Sequence, residues 1–585
     1  MEPSEADWVS RLADEVIAEA ERRVPRGPII CASGLSPSGP IHLGNLREVM
    51  TPHLVADEVR RRGRDCEHLL FWDDYDRFRR VPADVDPSWA EHVGKPLTSV
   101  PAPAGSRYPN WAEHFKAPMV MALAELAIEV QEISQAQRYA SGAYREDILL
   151  AMRERERIDA ILGRYRMQAK PTADDSPPAA DVAGTADVAA ALAAAQGSGA
   201  ATEEDGANAA GYFPYKPYCS VCDRDLTTVV GYDDDTTALS YVCACGHADT
   251  VLLSEHDQGK LVWKVDWPMR WAHYGVLFEP SGVDHSSPGS SFVVGSQIVR
   301  EVFGQDPPIG PMYAFVGISG MAKMSSSRGA VPTPADALEI MEAPLLRWLY
   351  ARRRPNQSFK IAFDQEIHRL YDEWDALGRR IAGGSAAPAE VAAHGRATRT
   401  AARVLPTTPR PLPYRTLASI IDVTTGDDEQ ILRVLHDLAP DDPITSLNEV
   451  RPRLDRARAW VDAQMPIDQR TRVRDEPDLE LLASLGAADR EMLRLLLAGL
   501  DPNWSLDGLT GLVYSVPKIH AGLPLDMKPT PELKVAQRAF FALLYRLLIG
   551  RDTGPRLPTL LLAVGADRVR TLVGADRRDR APAVC

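Results

Sequence analysis

The first segment of this chain that could do chemistry is residues 29–47, IICASGLSPSGPIHLGNLR. Its middle is rich in glycine, proline and serine, which is typical of a turn. Ile29 and Ile30 begin an apolar run that predicts a buried strand, and the amphipathic residues after His42 predict a helix. A turn between a strand and a helix points backbone N–H groups and the positive end of the helix dipole at one place. Gly44 carries no side chain, so a ligand can lie against the backbone. The segment therefore predicts a site for a polyphosphate.

A second polar loop, at residues 323–327, offers one cation and three hydroxyl groups. Its residues are Lys323, Met324, Ser325, Ser326 and Ser327, bracketed by Gly317, Gly320 and Gly329. The glycines give this loop hinge-like freedom. In isolation such a loop is usually only a polar turn. Paired with a phosphate-binding turn, Lys323 becomes a mobile cation that can neutralise phosphate oxygens.

Four cysteines have the spacing of a metal site. They form two pairs, Cys219 with Cys222 and Cys243 with Cys245, with β-prone residues between the pairs. Two knuckles joined by a hairpin bring four thiolates into a tetrahedron, which suits Zn²⁺ and leaves no position for water or substrate. We therefore predict a zinc ribbon at residues 212–250 with a structural Zn²⁺, in which His247 could replace one thiolate. Buried cysteines without a metal are the alternative.

Polar side chains follow the next apolar run, residues 66–72. The sequence there continues Asp73, Asp74, Tyr75, Asp76 and Arg77. A strand, a helix and a second strand make a βαβ unit, and ligands of parallel sheets bind at the carboxyl ends of the strands. These carboxylates are therefore candidate ligand groups, and a solvated acidic turn is the alternative.

Length and composition limit the class of protein. At 585 residues the chain needs roughly two to four domains. A net charge of −15 argues against a protein that coats nucleic acid, although a local basic face can still bind a polyanion. The amino terminus lacks the regions of a signal peptide, and no apolar run reaches the roughly 18 residues of a membrane helix. With seven cysteines, four of them clustered, we expect a soluble cytoplasmic protein.

The elements that must position these groups change along the chain from α/β to helical. Helical periodicity at residues 110–166 precedes an alanine-rich segment, 171–210, which we expect to be a flexible insertion. Residues 251–265 have β-like patterning. Strand signals are scarce after about residue 335, and helices are predicted at 446–464, 479–497 and 530–549. The carboxyl-terminal region is therefore predicted to be all-helical.

With both polar motifs in view, the chain resembles the class I aminoacyl-tRNA synthetases. Residues 42–45, HLGN, are similar to the HIGH signature of that family, and residues 323–327 are similar to its KMSKS signature. The stretches ASGLSPSGPIHLGN, WDDYDR, VDWPMRW, FEPSGVDH and SGMAKMSSS resemble the lysyl branch, and the resemblance spans the chain apart from the alanine-rich segment. Asn45, Ser326 and Ala322 depart from the general signatures, and the first two of these departures resemble the lysyl branch.

This resemblance implies a fold and a reaction. The fold is a Rossmann-type (HUP-like) α/β catalytic domain with a zinc-bearing insertion, followed by an all-α anticodon-binding region. The implied domains are residues 1–80 and 251–335 for the catalytic halves, 81–250 for the insertion and 336–585 for the helical region. The implied reaction uses ATP with Mg²⁺ to activate L-lysine and transfers the lysyl group to the terminal adenosine of tRNA(Lys). We expect a monomer that does not associate with membranes.

The resemblance also implies site residues. The catalytic residues would be His42, Gly44, Asn45, Lys323, Ser325, Ser326 and Ser327. ATP would contact Pro37, Gly39, His42, Gly44, Gly282, Asp284, Lys323 and Met324. Lysine would contact Gly34, Ser36, Asp73, Trp263, Trp267, His285 and Tyr313, with Asp73 or Glu279 as the acidic partner of its ammonium group. The pair Trp267 and Trp271 has core packing as its alternative.

A basic segment offers candidate contacts to tRNA. Arg352, Arg353, Arg354 and Lys360 lie near Trp348, Tyr350 and Phe359, which is a combination of phosphate-binding and stacking groups. The alternative is a solvated helix end. Two other functions fit the motifs: a related synthetase-like enzyme acting on another amino acid or acceptor, and a zinc-ribbon nucleic-acid-binding regulatory protein with an inactive nucleotide site.

Overall fold

The computed structural model describes residues 7–23, 27–82, 85–168, 207–208, 210–285, 289–319, 332–466 and 468–574. They form two compact units. The first falls within Met1–Leu338, Ala343–Ala362 and Gly383–Leu405, and the second within Glu339–Glu342, Phe363–Ala382 and Pro406–Cys585. Most of the alanine-rich segment, at 171–206, and the whole 323–327 loop lie outside the described residues.

The described strands are numbered in chain order: β1 (Ile29–Leu35), β2 (Cys66–Trp72), β3 (Gln131–Ser134), β4 (Ala207–Asn208), β5 (Gly211–Tyr212), β6 (Tyr215–Pro217), β7 (Thr227–Tyr232), β8 (Ala238–Cys243), β9 (Ala248–Leu252), β10 (Gly259–Leu261), β11 (Val276–Phe278), β12 (Ser281–Gly282), β13 (Met312–Tyr313), β14 (Val316–Ser319) and β15 (Phe359–Ala362).

The described helices are α1 (Trp8–Arg23), α2 (Leu43–Arg61), α3 (Trp111–Glu125), α4 (Gln135–Ala140), α5 (Arg145–Arg153), α6 (Arg155–Gln168), α7 (Trp263–Tyr274), α8 (Ser291–Glu301), α9 (Pro334–Ile340), α10 (Ala343–Ala351), α11 (Glu366–Ala382), α12 (Pro388–Thr398), α13 (Tyr414–Val423), α14 (Asp428–Leu438), α15 (Arg453–Gln464), α16 (Leu479–Ser484), α17 (Ala487–Gly499), α18 (Leu506–His520), α19 (Pro531–Ile549), α20 (Leu557–Val564) and α21 (Ala566–Val573). None of them is both long and apolar enough to cross a membrane.

The first unit is built on a four-stranded parallel sheet in the order β11-β1-β2-β3. Ile29 pairs with Cys66 and Leu35 with Trp72, so β1 and β2 end side by side. Most residues of both strands are buried, as expected for parallel strands that are covered on both faces, and Glu67 of β2 is exposed. The predicted βαβ unit is therefore present. The third strand, β3, interrupts the region predicted to be helical.

The insertion carries a three-stranded antiparallel sheet of β7, β8 and β9. β7 and β8 are formed by the β-prone residues that the sequence shows between the two cysteine pairs. After β9 the chain forms the short strand β10, but the predicted β-like stretch ends there, because α7 begins at Trp263. Pro268 lies within α7, and the helix ends at Gly275, whose φ of 63° is a left-handed cap.

The region after residue 335 is not all-helical. Phe359–Ala362 forms β15, which pairs in parallel with β14 of the first unit from Val316↔Phe359 to Ser319↔Ala362. This strand is only four residues long, and a single short apolar stretch between helices carries little periodic signal. The prediction of an all-α region from 336 is therefore wrong at this strand.

The second unit consists of helices in its described residues. Its helix α20 is apolar and buried on nearly every side, so the other helices surround it. The predicted helix at 530–549 is confirmed as Pro531–Ile549. Its N-cap Thr530 accepts a hydrogen bond from the N–H of Leu533, and Gly550 ends the helix at φ 71°. The predicted 479–497 helix is two helices, α16 and α17.

Candidate active site

The turn after β1 places His42 at the start of α2. His42 is extended and serves as the N-cap, with its Nδ1 accepting the N–H of Gly44 at 3.1 Å. Because Nδ1 is an acceptor, the proton of the neutral ring is on Nε2. Partial loss of hydration lowers the pKa of His42 below its usual value. The side chain is exposed and therefore presents an N–H donor beside the helix N-terminus.

Gly44 is required by this geometry. A Cβ at residue 44 would lie 2.8 Å from Cε1 and from Nδ1 of His42. Any side chain would therefore displace the capping ring. Asn45 donates its backbone N–H to the carbonyl of His42 at 2.9 Å, while Pro37 is buried and Gly39 is half-buried in the turn.

The predicted second half of the phosphate site falls in a part of the chain that the structure does not describe. This applies to Lys323, Met324, Ser325, Ser326 and Ser327. The first described residue after this loop is Pro332, whose carbonyl accepts the N–H of Leu43 at 2.9 Å. The chain that follows the loop is therefore tied to the first residue of α2, next to His42.

The predicted ribose contacts come from the short strand β12 and the turn after it. Gly282 is buried and pairs with Tyr313 of β13. Asp284 lies in the short 3₁₀ helix Val283–His285.

Three of the predicted lysine contacts, Gly34, Ser36 and Asp73, lie at the carboxyl ends of β1 and β2. Asp73 donates its backbone N–H to the carbonyl of Leu35 at 2.9 Å, which holds it beside the turn that contains exposed Ser36. Gly34 lies in the strand itself, not in the turn as predicted. A Cβ on Gly34 would lie 3.8 Å from Oε1 of Glu48 and 4.0 Å from Oδ2 of Asp73, so both carboxylates face this glycine.

Glu48 is a site residue that the sequence interpretation missed. It hydrogen-bonds to Gly34 and to Tyr313. Burial, with the nearby carboxylates of Glu279 and Asp73, raises the pKa of Glu48 to about 8. A signal was available, because Glu48 follows Gly44 by one helical turn and faces the same side of α2.

Aromatic rings form the next wall of the site. The rings of Trp263 and Trp267 stack with centroids 5.1 Å apart, and His285 meets Trp267 edge-on at 5.6 Å. Trp267 and Trp271 donate their indole N–H groups to the two carboxylate oxygens of Glu279 at 3.0 and 2.6 Å. Burial raises the pKa of Glu279 to about 7. Trp267 thus packs in the core, as the alternative interpretation expected, and supports the rings of Trp263 and His285, which line the adjacent cavity.

Arg270 is a buried cation next to these aromatic rings. It donates to Asp73 at 2.7 Å and also pairs with Asp266. Its guanidinium lies 5.6 Å from the ring centroid of Trp263. Asp73 is therefore already paired with a cation within the protein.

A cavity of about 550 Å³ adjoins these residues. Its lining includes Asp73, Trp263 and His285, which are three of the predicted lysine contacts. The same cavity reaches Arg77 and Lys216, which lie towards the cysteine-bearing insertion.

The four predicted metal ligands come together. The sulfur atoms of Cys219, Cys222, Cys243 and Cys245 all lie within 4.8 Å of one another. Two Sγ–Sγ distances, 3.8 Å for Cys219–Cys245 and 3.6 Å for Cys222–Cys243, are close to the roughly 3.8 Å edge of a tetrahedral Zn–S₄ site. The donor set therefore fits zinc. His247 is not needed, and its Nε2 lies 3.2 Å from the hydroxyl of Ser220.

The candidate tRNA contacts lie at the end of α10 and on β15. Arg353, Arg354 and Lys360 are exposed, whereas Arg352 is half-buried with its guanidinium 3.9 Å from the ring centroid of Trp348. Lys360 pairs with Gly317 of β14. The exposed basic groups thus flank the strand that leads to residues 320–331.

Comparison with known proteins places the chain in a family. The sequence profile described as tRNA synthetases class I (K) matches residues 6–403. A lysine–tRNA ligase from Streptomyces coelicolor is 67% identical over 577 residues, which cover 97% of this chain and 98% of the relative. Lysine–tRNA ligases from Pyrococcus horikoshii and Treponema pallidum are 32% and 30% identical, and the matches cover 95% and 97% of this chain and 97% and 98% of the respective relatives.

The parallel sheet, the histidine-capped turn and these matches define a class I tRNA synthetase. The chain belongs to the family of class I (K) tRNA synthetases.

Proposed function

We propose that this protein is a lysine–tRNA ligase, which forms lysyl-adenylate from L-lysine and ATP and transfers the lysyl group to tRNA(Lys). The observation that carries the proposal is the 67% identity to a lysine–tRNA ligase over nearly the full length of both chains. The carboxylate of Glu48, close to Gly34 and Tyr313, supplies the negative group that a buried ε-ammonium requires.

In the first step the lysine carboxylate attacks the α-phosphate of ATP, and pyrophosphate leaves. No side-chain nucleophile is needed, so the barrier falls mainly through positioning and charge stabilisation. His42 donates from Nε2 to a phosphate oxygen at the N-terminus of α2, and Gly44 lets the nucleotide approach the backbone. We assign Lys323 and the hydroxyls of Ser325, Ser326 and Ser327 to the leaving phosphates. Mg²⁺ bound to ATP would supply positive charge that neutralises the phosphate oxygens.

In the second step a hydroxyl of the terminal adenosine attacks the lysyl carbonyl carbon. The bond from this carbon to the phosphate oxygen breaks, AMP leaves, and the hydroxyl proton passes to the departing phosphate. Trp263, Trp267 and His285 border the lysine side chain, while Gly282 and Asp284 contact the ATP ribose.

The remaining assignments follow from the same family. The parallel sheet is the core of a Rossmann-type (HUP-like) catalytic domain at residues 1–80 and 251–335, and residues 81–250 are its insertion. We assign residues 336–585 to the anticodon-binding region, apart from Ala343–Ala362 and Gly383–Leu405, which belong to the first unit. The cysteine cluster holds one structural Zn²⁺, with four thiolates that leave no open position for catalysis. We assign a monomeric, cytoplasmic enzyme.

Amino-acid-dependent exchange of pyrophosphate into ATP tests this function. The assay uses each of the twenty amino acids, with tRNA present and absent, and is followed by charging of tRNA(Lys). Exchange with lysine and no other amino acid is expected. Exchange only with another amino acid would identify a related synthetase. Binding of tRNA without ATP binding or exchange would identify the regulatory alternative.

A further inference from the structure

The parallel sheet of the first unit has an open edge at β3. The strand order is β11-β1-β2-β3, so β2 lies on one side of β3 and no described strand lies on the other. A strand that is paired on one side only presents unpaired N–H and C=O groups on its other side. Gln131 and Glu132 of β3 are exposed, whereas Ile133 is buried beside Phe71. The outer side of β3 can therefore pair with a further strand.

Two cavities adjoin this edge, where β3 meets helix α3. One, of about 460 Å³, includes Ser134 at the carboxyl end of β3, and the other, of about 390 Å³, includes Val130 just before β3. Val120 of α3 and Glu132 of β3 line both cavities, so the two lie next to each other. We call them together the β3 groove. Side chains two residues apart on a strand point to the same face, roughly 7 Å apart, so one extended segment can fill both cavities.

The cavity at the amino end of β3 suits an apolar side chain. Its apolar lining comes from α3 and from the loop before β3, and it includes Val120, Leu123, Ile128 and Val130. Arg403 also lines this cavity, and its guanidinium donates to the carbonyl of Ala124 at 2.7 Å. That cation is thus directed at the C-terminal end of α3.

The cavity at the carboxyl end of β3 suits a basic side chain. Glu113 accepts a hydrogen bond from Nζ of Lys116 at 2.9 Å, and Glu132 accepts the indole N–H of Trp72 at 2.7 Å. Each of these bonds uses one carboxylate oxygen, and the second oxygen can accept from a ligand. Lys116 does not neutralise this cavity, because its ammonium also pairs with the buried carboxylate of Asp74.

The charges of the β3 groove limit what can bind there. Its lining contains the carboxylates of Glu113, Glu129 and Glu132, against the cations Lys116 and Arg403. With Asp74 paired to Lys116, the negative charges are in excess. Such a surface repels RNA, and it also disfavours a second copy of this chain, whose net charge is −15. A basic segment has the complementary charge.

We infer that the β3 groove binds an extended, basic segment of another protein, which adds a strand to the sheet beside β3. A Lys or Arg side chain of the partner enters the cavity at the carboxyl end, and an apolar side chain two residues away enters the other cavity. Backbone hydrogen bonds to β3 give affinity, and the two cavities give selectivity. None of the residues assigned to lysine or ATP lines the groove, so the inference does not depend on the proposed function.

The test uses synthetic peptides and the full-length protein. The probe is a fluorescent peptide of threonines that carries one lysine and one valine two residues apart, made in both sequence orders because the strand direction is not fixed. Fluorescence anisotropy should give a Kd of roughly 0.1 mM for one of the two orders. Replacing the lysine of that peptide by glutamate should weaken binding at least tenfold.

Backbone methylation tests whether the peptide binds as a strand. Two further peptides are N-methylated, one on the odd-numbered and the other on the even-numbered residues. A strand that pairs on one side only should lose binding in one of these peptides and keep it in the other, since alternate N–H groups point to opposite sides. Equal affinities of the two methylated peptides would overturn the inference.

Protein variants locate the site. Glu113→Gln combined with Glu132→Gln should weaken binding of the lysine peptide about tenfold and leave the glutamate peptide no weaker. Glutamine still accepts a hydrogen bond from Trp72, and melting curves show whether the variant is folded. The matched control is Glu146→Gln, at an exposed glutamate of α5 that does not line the groove, and it should change nothing. An equal loss in the control variant would exclude the groove as the binding site.

Two other occupants give different results. A wild-type dimer in sedimentation experiments that the lysine peptide dissociates would mean that a second copy occupies the groove. Displacement of the peptide by tRNA(Lys) would mean that the groove contacts RNA. Either result, or no binding of the lysine peptide at about 1 mM, would refute a basic protein partner.

Discussion

Arg270 donates a hydrogen bond of 2.7 Å to Asp73, across 197 residues of sequence. The acidic residue at the end of β2 thus has a cation bound to it inside the protein. Glu48 has hydrogen bonds to Gly34 and Tyr313 but lies among other carboxylates, which disfavour its ionised form. An ammonium ligand relieves that repulsion at Glu48, whereas at Asp73 it would approach Arg270. Glu48 is therefore the stronger candidate partner for lysine.

Replacing Glu48 by Gln should weaken lysine binding selectively. The amide keeps the shape but loses the charge-assisted hydrogen bond, so the KM for lysine should rise roughly 10- to 100-fold. The KM for ATP should change little. Steady-state exchange kinetics measure both, and an equal rise in the two KM values would contradict the assignment.

Replacing Arg270 by Met should destabilise the fold more than it changes specificity. The substitution removes the cation that directly pairs with buried Asp73 and Asp266, at a cost of about 3–5 kcal/mol in the free energy of unfolding. Urea denaturation measures this cost. Arg22→Met, at an exposed ion pair with Glu19, is the control and should cost far less. Similar losses in the two variants would contradict the role of burial.

The affinity for lysine should rise with pH. Because the pKa of Glu48 is raised to about 8, this carboxyl is largely protonated at neutral pH and must lose a proton to pair with ammonium. The KM for lysine should therefore fall as pH rises from about 6 to about 8, by at most roughly tenfold per unit. Glu48→Gln should flatten this profile.

The raised pKa of Glu48 also predicts how the free energy of unfolding depends on pH. A carboxyl with a raised folded-state pKa binds its proton more tightly when folded. Its stabilising contribution to the free energy of unfolding is therefore lost as pH rises from the ordinary glutamate pKa of 4.5 towards 8. Glu48→Gln should remove that part of the pH dependence in urea denaturation at several pH values.

The strand before the first turn and the helix after it should contact different substrates. Gly44→Ala places a Cβ 2.8 Å from the His42 ring and should lower the rate of exchange about as much as His42→Ala, by roughly 10²-fold. Gly34→Ala places its Cβ in ordinary contact with Glu48 and Asp73, so it should raise the KM for lysine. Equal effects of Gly34→Ala and Gly44→Ala on the KM values for lysine and ATP would contradict this division.

Loss of the cysteine cluster should affect structure first. Four thiolates in tetrahedral reach leave no position for a substrate, so Cys222→Ser or chelation should lower thermal stability and tRNA binding before lysine-dependent exchange is lost. Metal content and melting curves follow the change. Loss of exchange with an unchanged melting curve would contradict a structural role.

Local elements could be predicted where the sequence carries its own signals. Thr530, Pro531 and Gly550 set the ends of α19, and apolar runs set β1 and β2. The short strands β3 and β15 have four residues each and belong to a sheet only through their partners. Their pairing depends on contacts that no local pattern contains.

The candidate site also contains residues that the sequence predicted and residues that it did not. The spacing of Cys219, Cys222, Cys243 and Cys245 was sufficient to predict the cluster. Glu48 was missed because it lies in a helix that was predicted from the spacing of its apolar residues, a pattern that does not single out a carboxylate. The role of Glu48 also depends on contacts with Gly34 and Tyr313, which lie in other elements. Glu48, Gly34 and Tyr313 become neighbours only in the folded chain, so no local sequence pattern indicates their contact.

The position of β11 in the sheet has a consequence for synthesis of the chain on the ribosome. Ile30 of β1 pairs with Val276 of β11. The edge of β1 that faces β11 therefore stays unpaired until the whole insertion has been translated. Until then the nascent chain presents an unpaired apolar strand edge, which is a target for chaperones. Ribosome-bound chains that stop before β11 should therefore be captured by chaperones more often than chains that extend well beyond it.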